Sequence, residues 1–573
     1  MKFLCILCVL YSSVLSAAAL DREAFTFTKY DLDASVEPAQ QRLGVRGKIT
    51  LRNDSTSPQK NAALQISSTL SWHSVNVEGK PVQFVTQPYT SDIDHTGSLS
   101  EAIVTLPQEI APRSSVELEI GYEGVIALDA TRLKRIGVPE ASAKHDDWDQ
   151  IGKTFSAVRG VGHVAWYPVA MEAASLGDAN KVPEALGRWK ARELHAEIRV
   201  RFTLEGSPTD VGDDLMCNAD SAEVMFDHSK KGEKAATECT FAPLETTVPL
   251  FIIAKYQYLS GSALDVSYLG DHKSAAQEYQ KAADKIVPFV TEWFGEPRQK
   301  ADVVELADSQ ADPYEAESML LAPLGHVGAG PMELTAVHQL THSALYSARP
   351  WIHEGLGHFA QALYREQQGG RKAALDFMET HRAVLVETEK SLAANAKPDQ
   401  EVDLSLIRTG MEELYRSKAM YVWWMLREMV GDEVLKKVLG DYQPDQDRNP
   451  EYFETLLERE SKLDLQWFFN DWLYHDRGLP DFRIESVYPQ PNSAGGYLVT
   501  VTVENLGGAA AQVPVTVHAA SGENTVRLQV PGKAKNSVRI NVPSLPVEAV
   551  VNDGGVPESD ITNNSFKVEP PKQ

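Results

Sequence analysis

The chain is short of cysteine, short of positive charge and, past its first residues, short of long apolar runs. Only four of its 573 residues are cysteine, and two of these, Cys5 and Cys8, lie at the extreme N-terminus. The remaining pair, Cys217 and Cys239, is too small a number for a disulfide-dense scaffold. With no second ligand pair at finger spacing, it is not a zinc site either. Lys and Arg number 55 against 80 Asp and Glu, a formal net charge of -25. So acidic a chain lacks the positive field that binding a phosphate backbone requires, which removes nucleic acid as the default partner.

Beyond residue 15 no stretch approaches the roughly 20 apolar residues of a membrane-spanning helix. The one apolar run, residues 3–15, follows Met1-Lys2 and leads into small residues. This is the pattern of a signal peptide over residues 1–19, cleaved after Ala19 with Ala17 and Ala19 as the small pair; a retained anchor is the other reading. Cys8 lacks the small residues that precede a lipidated cysteine. The expectation is an exported protein, periplasmic or extracellular, with no transmembrane span after cleavage. In that compartment Cys217 and Cys239 read as a disulfide, closing a loop worth about 3 kcal/mol. Two buried thiols are the alternative.

What the chain does have is pattern. Composition is 43% hydrophobic, enough for several buried cores. KITLRN (48–53), SVELEIGY (115–122) and LHAEIRVRFTL (194–204) alternate apolar and polar residues between turn clusters, the period of strands. Residues 126–195 carry no such period. From HKSAAQEYQKAADKIVPFVTEWFG (272–295) the spacing turns helical, with Ala275, Tyr279, Ala282, Ile286, Phe289, Val290 and Trp293 on one face. Helical reading continues to about residue 478, after which GYLVTVTVENLG (496–507) and NSVRINV (536–542) restore period two. The fold class expected is multidomain α+β: an antiparallel β domain over 20–262, a mostly helical domain over 263–480, and a β-sandwich over 481–573.

The chemistry concentrates in PMELTAVHQLTHSALYSARPWIHEGLGHFAQALYRE (331–366). Pro331 suits a first helical turn, and His338 and His342, four apart, share a face on which two rings can hold one ion. Spacing alone is weak, since chance places roughly 0.4 such pairs in a chain with 15 histidines. Pro350 ends that helix and opens another carrying Glu354. Two imidazoles and one carboxylate leave a fourth position open, the arrangement of a catalytic zinc. His358, four after Glu354, is in place to support a ligand or to close the site as a fourth. His353 points elsewhere on that helix. Gly355 and Gly357 each cost about 1 kcal/mol in a helix relative to Ala, which implies close packing against a neighbour.

This segment resembles the metal-binding helices of the aminopeptidase N family of gluzincin zinc metallopeptidases. HQLTH matches the family's HExxH, with His338 and His342 as ligands, and WIHEG (351–355) matches its Glu motif, with Glu354 as third ligand of one zinc ion. YDLDASVEPAQQRLGVRGKITLRN (30–53), VAWYPVA (164–170), YRSKAMYVWWMLREMVG (415–431) and WFFNDWLYHDRGLPDF (467–482) resemble other stretches of the family. LVTVTVENLGGAAAQVPVTV (498–517) resembles immunoglobulin-like modules. The resemblance implies a thermolysin-like catalytic domain, a peptide or protein substrate, and Tyr415 steadying the oxyanion, with Tyr421 in reserve. Departures accompany it. Gln339 stands where the family has its general base, and an amide has no basic site for a proton. The connection from His342 to Glu354 is shorter than the family's. The family's exopeptidase motif is absent, and Glu315 or Glu317 of DPYEAESMLLAP (312–323) is the candidate for holding a substrate α-amine. The function expected is an exported zinc metallopeptidase impaired at its base. Its alternative is a pseudopeptidase that binds peptides or serves as a scaffold.

Overall fold

In a computed structural model, the described residues are 20–568 apart from 179–180, 206–213, 225–235, 242–243, 245–247, 299, 317–318, 325–328, 396–404, 408, 410, 412 and 494. Residues 1–19, where a signal peptide is expected, lie outside them.

Alternation in the first part of the chain becomes sheet. Phe25–Glu37 pairs antiparallel with Arg42–Asn53, Tyr30 opposite Ile49, and parallel with Glu197–Leu204. Tyr30, Leu32, Ala34 and Val36 point to one side and are buried, as a period of two requires. These strands belong to an eight-stranded sheet, whose core is shared with the three-stranded sheet of Gln59–Ser67, Ser98–Ile110 and Phe84–Thr90. Trp166, Tyr167 and Trp189 are wholly buried there, Trp166 meeting Tyr167 and Phe251 edge to face at 4.9 and 5.3 Å. The aperiodic stretch 126–195 is not all loop. It contains the helix Lys181–Glu193, whose period is masked by Pro183 and Gly187.

Cys217 and Cys239 form a disulfide. It ties the strand Asp214–Cys217, in a small sheet with Phe251–Ala254 and Phe155–Val158, to Ala236–Phe241 of the large sheet.

The central region is less purely helical than its sequence suggests. A five-stranded sheet orders Tyr256–Ser260, Leu264–Leu269, Ala301–Glu305, Met319–Ala322 and Tyr314–Ala316. Its three middle strands run parallel and the edge strand Tyr314–Ala316 antiparallel. The middle strands, four to six residues long and largely buried on both faces, carry no alternation to read, and the edge strand of three residues is too short to show one. The sheet begins before residue 263, since Tyr256–Ser260 pairs with Leu264–Leu269. The helix Lys273–Phe294 packs on it through Tyr279, Ile286 and Val290.

The helix Ala329–Ala344 bears the histidine pair, and Pro350–Asn395, broken at Gly370, follows. The close packing implied by its glycines is present. A Cβ on Gly355 would lie 2.7 Å from Ala419 Cβ, and one on Gly357 would lie 2.6 Å from His338 Cε1. Ala419–Val430 supplies the wall, with Trp423 stacked on Trp351 at 5.1 Å and donating from Nε1 to the Trp351 carbonyl at 3.1 Å.

The C-terminal segment forms sheets of three and four strands, and their inner residues Val499, Val501, Val513 and Val515 join one continuous core with the helices. Trp472 Nε1 donates to the Ala510 carbonyl at 2.8 Å. Arg371 bridges Glu428 and Asp553, each at 2.7 Å, and Glu428 also pairs with Arg527.

Two measurements test this packing. Gly355→Ala should lower stability by about 1–3 kcal/mol, the cost of overfilling a packed contact, read as a drop in denaturation midpoint. Replacing Cys217 and Cys239 by serine should remove about 3 kcal/mol, with the loss appearing equally on reduction of the native chain.

Candidate metal centre

Three elements deliver the site. Helical spacing places His338 and His342 one turn apart, and their ring centroids lie 4.4 Å from each other. The edge strand Tyr314–Ala316 brings Glu315 to them, its Oε2 3.1 Å from His338 Nε2 and its Oε1 3.0 Å from His342 Nδ1. The helix Pro350–Asn395 brings Glu354, whose Oε2 is 3.9 Å from His338 Nε2. Both rings are almost wholly buried, with side chains 6% and 1% exposed. His338 Nε2 and both nitrogens of His342 nevertheless have no well-aligned hydrogen bond among the described residues. Buried nitrogens left in that state call for a partner.

Two overlapping sets bring their ligand atoms within 4.8 Å of one another: Glu315, His338 and His342, and His338, Glu354 and His358. His338 stands in both, His342 in the first, Glu354 in the second. Glu354 has a further partner, for Arg416 Nε donates to its Oε2 at 3.1 Å. Gln339 is fully buried and donates from Nε2 to Glu315 Oε1 at 2.6 Å. The Gln339 Oε1 has no hydrogen-bond partner among the described residues.

Charge follows from these contacts. Burial pushes the Glu315 carboxyl up, but His338 and His342 outweigh it and hold the group well below the usual carboxylate range. For Glu354, burial is outweighed by Arg416 and by His342. Burial lowers His342, and Glu315 more than reverses that. The surrounding imidazoles are held neutral: burial, with His342 beside it, brings His353 to about 3, and burial, with His338 nearby, brings His381 to about 4.

His353 does not point away as its position on the helix suggested. Its ring stacks on that of His342 at 3.9 Å and 20°. The approach of two helices, which spacing within one of them does not encode, puts it there. His358 lies against His338 at 4.8 Å, donates from Nδ1 to Gln361 Oε1 at 3.1 Å, and meets His381 at 5.1 Å. Tyr415 is buried in the π-helical turn Glu413–Lys418, one residue before Arg416. Tyr421 donates to the Met378 carbonyl at 2.8 Å and is core. Glu317 lies outside the described residues.

The N-terminal unit fixes the strand of Glu315 from behind. Arg159, paired with Asp149 at 2.7 Å, lies over Trp148 at 3.9 Å and over Tyr314 at 5.3 Å, and His163 meets Tyr314 edge-on at 5.4 Å. Trp148 Nε1 donates to the Asp312 carbonyl at 3.1 Å. The nearby trio Asp147, Asp149 and His163 has acids already neutralised, Asp147 by Arg132 at 2.6 Å and Asp149 by Arg159.

Two buried imidazoles and an adjoining carboxylate offer the nitrogen and oxygen donors that a divalent metal cation takes. No family model and no curated protein sequence matches the chain. Its fold is similar to that of a solved structure, aminopeptidase A of Legionella pneumophila in complex with aspartic acid, with a TM-score of 0.57 and 10% identity. The likeness covers 93% of this chain and 59% of that one, so the chain spans about three-fifths of that protein's length. What the two share is a fold, a multidomain α+β architecture.

Proposed function

We propose that the protein is an exported peptidase of aminopeptidase type that hydrolyses peptide bonds, from the N-terminus of its substrate, with one zinc ion. The observation that carries this reading is the buried pair His338 and His342, with ring nitrogens that lack a well-aligned hydrogen bond among the described residues and two carboxylates at hand, in a chain whose fold resembles that of an aminopeptidase. A bound zinc ion supplies a Lewis acid for the peptide carbonyl and makes water more acidic.

The chain's own residues divide the remaining work. His338 and His342 hold the ion. Glu315 and Glu354 share two tasks, completing the ligand set and receiving the substrate's α-ammonium. Gln339 orients through its buried amide but takes no proton, and loss of a general base typically costs 10²–10⁴ in rate. Tyr415, beside Arg416, is the candidate for steadying the oxyanion. Export of the chain through its leader accords with the disulfide Cys217–Cys239.

A second reading has one observation of its own. Gln339 is engaged by Glu315 at 2.6 Å, so the base position is already committed within the fold. That favours a protein that binds peptides without turning them over.

Metal analysis of full-length protein purified without chelator should give one zinc per chain, and chelation should abolish hydrolysis of aminoacyl chromogenic substrates. Protein that carries and takes up no zinc would refute both readings of the centre. Gln339→Glu should raise kcat at least tenfold. An unchanged kcat, with peptide still bound, would select the second reading.

A further inference from the structure

We infer that the carboxylate ligand of the metal is Glu315, from the edge strand, and not Glu354, from the helix that follows the histidines. The inference rests on the metal-binding reading of the centre and changes its ligand set.

Four features converge on it. Glu315 reaches both imidazoles, one oxygen on each, at 3.1 and 3.0 Å. Of the two rings, Glu354 comes within 4 Å of His338 alone, at 3.9 Å, and the set that includes it draws on His358 in place of His342. Its charge is also already met: Arg416 Nε stands 3.1 Å from Glu354 Oε2. A carboxylate that gives up an arginine in order to bind a cation forfeits one charge-assisted hydrogen bond to form another contact. Among the described residues, what engages Glu315 are the two rings and the Gln339 amide, with no arginine or lysine salt bridge to surrender.

The third feature is the amide itself. Gln339 Nε2 donates to Glu315 Oε1 at 2.6 Å from a fully buried position. Hydrogen bonds of this kind orient ligating carboxylates and are worth 10–100-fold in metal affinity. A carboxylate at position 339 would face Glu315 in the metal-free chain as a like charge at hydrogen-bond range. Glutamine there is the residue that a ligating Glu315 needs, and the loaded chain, with the charge of Glu315 on the metal, is the state that tolerates Glu. Gln339 is in this account a positioning residue. The fourth feature is support: Tyr314, next to Glu315, is clamped by Arg159 and His163, so the strand presents its carboxylate from a fixed backbone.

The test is zinc titration of metal-free, full-length protein by calorimetry, with Glu315→Gln and Glu354→Gln beside the wild type. Cobalt(II) absorption spectra of the same proteins give a readout independent of hydrolysis. Glu315→Gln should weaken zinc binding at least 100-fold and shift the cobalt bands. Glu354→Gln should stay within about threefold of the wild type and keep its spectrum. The Glu354 variant decides the matter even if the Glu315 variant does not fold: a loss of 100-fold, or an altered spectrum, overturns the assignment. Equal losses in both variants overturn it as well, because both carboxylates would then be ligands. A wild-type chain that binds no zinc sinks the metal reading itself, an outcome separable from either of these.

Discussion

One carboxylate between two buried imidazoles organises this molecule. Glu315 carries negative charge into a place where water is largely excluded, and His338 and His342 are what make that charge tolerable. Removing charge from water costs several kcal/mol per ion even after relaxation, and only good geometry recovers it. Here the geometry comes from three separate pieces of chain: an edge strand, the histidine helix and the Gln339 amide. The neutral imidazoles of His353, His358 and His381 around them add bulk and polarity without adding charge.

The same reasoning explains why the N-terminal sheets matter to a centre they do not enter. Arg132 with Asp147, and Arg159 with Asp149, are buried ion pairs. Such pairs add little net stability, but breaking one is costly. They set Arg159 and His163 against Tyr314, one residue from Glu315. The placement of a single carboxylate therefore depends on the whole β unit being folded.

Much of this was legible in the residues. Period two marked the long strands of both terminal regions, and helical spacing marked Lys273–Phe294. The histidine pair and the proline break before the next helix were plain in the sequence, and so was the demand of Gly355 and Gly357 for a close neighbour. What escaped had a physical reason. The parallel strands Ala301–Glu305 and Met319–Ala322 alternate nothing because both faces are covered, and the antiparallel edge strand that carries Glu315 is, at three residues, too short to show a period. Pro183 and Gly187 disguised the helix Lys181–Glu193. Where His353 comes to rest, and which carboxylate approaches the rings, depends on the distance between elements. Spacing along one element contains no information about that distance.

The apolar interior runs without interruption from Trp351 and Trp423 through Phe468 and Trp472 to Val499 and Val513. Helices and sandwich consequently have no seam along which they could part. Recombination that exchanged the last hundred or so residues for another module would have to supply matching apolar relief as well as a compatible linker. A lineage that keeps these helices is bound to keep a sandwich of this shape.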